Sequence, residues 1–404
     1  MPRIRLRHPD VTAQLTGWVL VDDFGLPRYW ATIWADVIKA GLKEQTRGGH
    51  LRGIEKLYQT VVIQTGKDTL DRLITDMDFD TLESVVGAFL TMLRNESAQS
   101  GVDREAAWSS ALTFLDDVLS HLHPHAQQQS GELHARMHRL ERLYGQITPS
   151  RPRVPAPIRA LPAAVVEDLY RLFNPESPEN PFRTPTVRWR NFTIFLMLLH
   201  LGLRRSEAAN LPADAIKEDV DPSTGEIRLW VNVDEMDEDG DPRYEKPSLK
   251  TSHSRRQLPV SNEVVKVTDV LVGNYRRGMH HCFMFGSQQG KPLALRSFHR
   301  IFETVSQHLS PQSRKALKDR GKHSVSAHDL RHTCAVYRLS RYLASGDDME
   351  TAIDKLRVFF GWSRISQMPR HYARAYFETK LTEVWHDNYD TFVETLRSLE
   401  GVRA

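Results

Sequence analysis

Cysteine is scarce in this chain, with Cys282 and Cys334 the two among 404 residues. Two thiols do not make a disulfide scaffold, so stability has to come from a buried core, and the composition fits a reducing cytosol. Long hydrophobic runs are missing too. The most apolar stretch, "TIFLMLLHLGL" at 193–203, falls short of the ~18 residues that cross a bilayer and suits a buried helix. The opening "MPRIRLRHPD" is basic, but no apolar segment follows it, which argues against a signal peptide. A strong excess of one charge is also lacking, since the net charge is +3.

That small balance hides an asymmetry. Residues 1–150 hold 16 Lys+Arg against 19 Asp+Glu, which leaves 38 against 32 for the remainder of the chain's 54 and 51. The second part is therefore the better candidate for a polyanionic partner. At this length, with 40% hydrophobic residues, there is material for two or three domains with real cores.

Residues 12–145 read as helices. "LPRYWATIWADVIKAGL", "TLESVVGAFLTMLRN", "AAWSSALTFLDDVLSHL" and "ELHARMHRLERLY" all repeat apolar residues at three and four. "TPSRPRVPAPIRALP" has five prolines and no helical period, which predicts a linker over 148–162. Helices resume with "AAVVEDLYRLF" and "VRWRNFTIFLMLLHLGL". Three short strands are predicted at 225–233, 243–250 and 255–260, and helices follow from about 296. The expected fold class is mainly α with a small antiparallel β-sheet. The expected division is 1–147, a linker at 148–162, and 163–404.

Four clusters carry chemistry. In "HLGLRRSEAANL" (200–211), Arg204 and Glu207 are three apart and share a helical face, which is most simply a surface salt bridge. In "SAHDLRHTCAVYRLS" (326–340), His328, Arg331 and His332 fall within one turn. This could be a zinc pair resembling HExxH, or an anion site in which His328 and Arg331 donate to phosphate. A guanidinium beside a dication is unfavourable, and no third ligand follows. "KPSLKTSHSRRQLPV" (246–260) reads as a basic hairpin with Lys250 beside the turn. In "GWSRISQMPRHYARAYF" (361–377), Tyr372 and Tyr376 share a helical face, a spacing that usually means core packing. "DEMDEDGD" (234–241) fails as a calcium loop, because its twelfth position would be Lys246.

The order of these clusters is more specific than any one of them. "GLRRSE", a hairpin lysine, "HDLRHT", then "FFGWS" and "HYAR" resemble the tyrosine recombinases, the phage-integrase, Xer and Cre-like family, over residues 163–380. The resemblance implies a two-domain DNA-breaking-rejoining architecture: a helical core-binding domain followed by an α+β catalytic domain. It implies a site-specific recombinase that cuts and rejoins DNA through a 3′-phosphotyrosine, for integration or excision of a mobile element. No cofactor or metal is expected. The implied partners are double-stranded DNA sites held by a homotetramer, in the cytoplasm at the nucleoid.

The resemblance also implies roles. Arg204 and Arg331 would be bidentate donors to the reacting phosphate, and His328 would bind it or move the tyrosine proton. Lys250 would protonate the leaving 5′-oxygen. Trp362 fills a third-box position that is usually His, and its indole can donate one hydrogen bond but cannot shuttle protons. Glu207 would be structural support. Tyr372 would be the nucleophile, although it follows Trp362 at one residue more than the family's usual spacing. Tyr376 is the competing choice. Arg255, Arg256, Arg314, Lys315, Lys318 and Lys322 are the expected contacts to DNA phosphates outside the reacting group. The rival readings are a non-catalytic DNA-binding protein of the same fold, a zinc hydrolase built on "HDLRH", and a type IB topoisomerase.

Overall fold

Apolar spacing produces helices along most of the chain, but a hairpin comes first. The computed structural model describes residues 3–6, 16–100, 104–122, 135, 139, 142, 159–235, 241–243, 245–249, 254–363, 365–366 and 368–369. The chain divides into two compact units, Met1–Arg153 and Val154–Ala404.

In the first unit β1 (Arg3–Leu6) pairs antiparallel with β2 (Gly17–Leu20), where helix was expected from residue 12. The local cause is Trp18, whose ring lies under the guanidinium groups of Arg3 and Arg5 at 5.4 and 6.0 Å. Among the described residues the helices that follow include α1 (Tyr29–Ile33, running on as a π-helical turn to Ile38), α2 (Glu44–Thr65), α3 (Leu70–Thr75), α4 (Phe79–Ser100) and α5 (Glu105–Leu122). Their inner faces bury Trp34, Ile54, Phe89 and Phe114 completely. Helices α2 and α5 approach closely at Gly53, where an added Cβ would lie 2.8 Å from the Ala107 carbonyl oxygen.

The second unit is built around a helix whose second half is buried on every side. It runs through α6 (Ala163–Phe173), α7 (Pro185–His200), α8 (Arg205–Ala209), β3 (Ile216–Val220), β4 (Ile227–Val233) and β5 (Arg256–Pro259). Then come α9 (Asn262–Val270, with a π-helical turn to Tyr275), α10 (Leu295–Gln307), α11 (Pro311–Lys318), α12 (Ala327–Ala344) and α13 (Met349–Phe360). Thr184 caps α7 by accepting from the Val187 N–H, and Pro185 occupies its first position. Residues 191–199 are all buried, so α7 is the axis of the core. Phe173 stacks on Phe195 at 4.8 Å and meets Phe302 edge-on at 5.8 Å, which joins α6, α7 and α10.

Two expectations need correction. The sheet is β3-β4-β5, antiparallel throughout. Strand β3 was not foreseen, and the described residues of the expected strand at 243–250 are irregular. Arg243 explains the latter. It is buried, holds Asp241 and the Ala209 carbonyl, and lies 3.9 Å over the Phe283 ring, so it anchors a loop instead of joining a ladder. The end of the predicted linker is also packed. Ala160 and Leu161 are buried, the Leu161 N–H donates to Thr333 Oγ1 at 2.8 Å, and the Ala160 carbonyl accepts from Arg320 at 2.6 Å. Among the described residues no helix is long and apolar enough to cross a membrane.

Candidate active site

The first arginine is delivered by a sharp stop in the core helix. Helix α7 ends at His200, and Gly202 turns the chain with φ of 58°. Only glycine fits there, because an added Cβ would lie 2.4 Å from the Phe360 ring. Arg204 then stands at the N-terminus of α8 with extended backbone. Glu207 accepts the Arg204 N–H at 2.9 Å and takes its Nη1 at 2.5 Å.

Glu207 is the centre of the site. It is 1% exposed and meets three guanidinium groups: Arg204 at 2.5 Å, Arg256 at 2.9 Å and Arg331 at 3.7 Å. Burial alone would raise its carboxyl pKa. Arg256, Arg331 and Arg204 together outweigh burial and hold it down to about 2. The expected surface salt bridge is therefore a buried carboxylate that joins α8, β5 and α12.

Arg331 has different partners from the phosphate expected of it. Its side chain is 2% exposed. It donates to the Gly202 carbonyl at 2.5 Å and to the Phe360 carbonyl at 2.9 Å. Its guanidinium lies over the Phe360 and Trp362 rings at 4.8 and 5.8 Å, and those two rings stack at 4.7 Å. Arg331 thus ties the Gly202 turn, α12 and the end of α13 into one block. Arg204, with a 20% exposed side chain, is the arginine nearer the surface.

The acid of "HDLRH" is a helix cap. Asp329 accepts from the Ser326 N–H at 2.8 Å and from Ser326 Oγ at 2.7 Å, closing a capping box at the start of α12. It also holds Lys322 as an ion pair. His328 is exposed, and its Nε2 lies 3.0 Å from that of buried His332, so one ring donates and the other accepts. Partial burial, then the cations Arg159 and Arg331, lower the His328 pKa to about 4. Asp329 opposes this shift and Arg204 adds to it. Among the described residues no group of three metal-ligating side chains stands together.

The other expected residues separate by environment. Arg314, Lys315 and Lys318 are exposed along α11. Arg255 is exposed and paired with Asp234 at 3.0 Å. Arg256 and Lys322 differ from expectation. Arg256 points inward to Glu207 and the Phe359 carbonyl, and Lys322 is held by Asp329, so neither side chain is presented outward for a phosphate. Strand alternation carried the signal for Arg256, since it shares a face of β5 with buried Leu258 while Arg255, Gln257 and Pro259 are exposed. Ser254, fully buried and accepting from Arg204 at 3.2 Å, had no such signal. Lys250, Tyr372, Tyr376, most of 132–158 and the tail helix expected at 379–399 lie outside the described residues.

This arrangement, in which two motif arginines and a third from β5 converge on one carboxylate, agrees with the comparison by sequence. The model of the phage integrase family matches residues 164–379. The chain belongs to that family, the tyrosine recombinases. Solved structures similar to it include the XerH site-specific recombinase bound to difH substrate in a pre-cleavage complex, 14% identical over 75% of this chain and 68% of that one, with a TM-score of 0.42. XerA recombinase is 14% identical over 87% and 100%, TM-score 0.30. The integrase from mycobacterium phage Brujita is 16% identical over 85% and 88%, TM-score 0.26. No curated protein matches the chain.

Proposed function

We propose that the protein is a site-specific DNA recombinase that cuts and rejoins strands of paired DNA sites to integrate or excise a mobile element. The observation that carries this reading is the Glu207 cluster, a buried carboxylate that holds Arg204 and Arg331, with Trp362 beneath the Arg331 guanidinium. Fixed positive charge of this kind favours a phosphoryl transition state, whose extra charge sits on non-bridging oxygens.

In the proposed step, the Tyr372 hydroxyl oxygen attacks phosphorus and the bond from phosphorus to the 5′-oxygen breaks. The tyrosine proton passes to His328, whose lowered pKa of about 4 leaves the ring neutral and able to accept it. The leaving 5′-oxygen takes a proton from Lys250. A 5′-hydroxyl from the partner strand then reverses the step, so the phosphodiester is conserved. Arg204 faces the phosphate, while Arg331 supplies charge from beneath and Glu207 fixes both. The first unit serves as the core-binding domain, and four protomers hold two DNA sites.

The test is a suicide duplex drawn from the DNA flanking the coding sequence, incubated in EDTA. Wild type accumulates a covalent protein–DNA adduct, and Arg204→Ala slows its formation by ~10²–10³-fold. Adduct formation at the same rate in Arg204→Ala would contradict the reading.

A further inference from the structure

A second cationic cleft opens at the other end of α7. It encloses about 470 Å³ between the start of that helix and α10. Three arginines line it, Arg183, Arg190 and Arg300, and none of its lining residues is acidic. Arg183 and Arg300 are exposed, and neither has an ion pair among the described residues. Thr184, the cap of α7, also lines the cleft, so the positive end of a 16-residue helix faces it.

Asn191 gives the independent observation. It lines the cleft, is 1% exposed, and its Nδ2 is buried with no hydrogen-bond acceptor. The orientation of the amide is set by Arg190, which donates Nε and Nη2 to Asn191 Oδ1 at 3.0 and 2.9 Å. Arg190 also donates to the Gly286 carbonyl at 3.0 Å, so its charge is fixed in place. Burial lowers its pKa to about 10, which still leaves it charged at neutral pH. A buried donor without an acceptor is destabilising, and an anion in the cleft would supply the acceptor.

We infer that this cleft binds a phosphate group through Arg183, Arg300 and Asn191 Nδ2. Its occupant is a backbone phosphodiester of duplex DNA away from the one that reacts. Nine residues of α7 separate Asn191 from His200, ~14 Å along the axis at ~1.5 Å per residue, so it is not the reacting phosphate's site. The choice of DNA over free phosphate rests on the strand-transfer reading.

Two readings of binding test it. In the first, the affinity for a mixed-sequence duplex is measured against salt concentration. Losing one phosphate contact reduces the slope of log K against log salt by about 0.9. R183Q/R300Q should show that reduction, and K266Q/R277Q, an equal loss of exposed charge elsewhere, should not. N191D keeps the acceptor used by Arg190 and turns the donor into an acceptor, so it should weaken binding as well. In the second, the melting temperature is compared in inorganic phosphate and in chloride at equal ionic strength. A phosphate-dependent rise in wild type that R183Q/R300Q lacks, with an unchanged DNA slope, assigns the cleft to free phosphate and overturns DNA as the occupant. No change in either reading overturns the site. Neither reading requires cleavage. Normal DNA binding without any covalent adduct would contradict strand transfer and leave the cleft standing, and adduct formation with no effect of R183Q/R300Q would do the reverse.

Discussion

Neighbouring arginines in β5 show how burial decides the worth of a charge. Arg255 and Asp234 are both 63% exposed, and such pairs contribute ~0–1 kcal/mol. Arg256 and Glu207 are 6% and 0% exposed, and removing one partner of a buried pair costs ~3–5 kcal/mol. Chemical denaturation should therefore find Arg255→Ala near wild type and Arg256→Ala strongly destabilised. Equal effects would contradict the inward placement of Arg256. Acid should act in two windows. His200, which bonds the Tyr170 hydroxyl at 2.6 Å, is lowered to about 4 by burial and by Arg338, against Glu263. Its folded value lies below the unfolded ~6.5, so the unfolded state takes the proton first. The stability it contributes is complete above pH ~6.5 and is lost as pH falls toward 4. Glu207, at about 2 against an unfolded ~4.3, contributes stability that is lost between ~4.3 and 2. Each contribution is at most roughly 3 kcal/mol. In urea melts, His200→Gln should flatten the slope between pH 6.5 and 4, and Glu207→Gln only below ~4.3.

At the scale of elements, the site depends on one turn. Gly202 breaks α7, offers its carbonyl to Arg331 and leaves room for Phe360. Gly202→Ala forces a left-handed alanine against an aromatic ring, and ~1–3 kcal/mol of destabilisation should follow, with loss of adduct formation. An unchanged melt would contradict this packing. The sequence revealed the helices of this region well: α6 falls at its predicted limits, and α7 starts two residues before its apolar pattern. Strand β3 was hidden because "IKEDV" has three charged residues and no buried position. The false strand at 243–250 failed because a single buried arginine, with no periodic signature, reorganised the loop. Arg204, Glu207, His328 and Arg331 were legible from the order of the motifs, which resembles the tyrosine recombinases. That Glu207 would gather three arginines was not, since Arg256 comes 49 residues later.

At the scale of the molecule, each unit has its own buried cluster, and no residue is shared between the two. A fragment beginning at Val154 should therefore fold and melt cooperatively by itself. An unfolded fragment would contradict that independence. The reaction asks more of the chain, because the proposed nucleophile has to reach the cluster held by Glu207. Mapping the modified residue by mass spectrometry on the trapped DNA adduct tests this most directly. The account predicts a nucleotide attached to Tyr372, an adduct retained in Tyr376→Phe and lost in Tyr372→Phe. An adduct on Tyr376, or one that survives Tyr372→Phe, would contradict it.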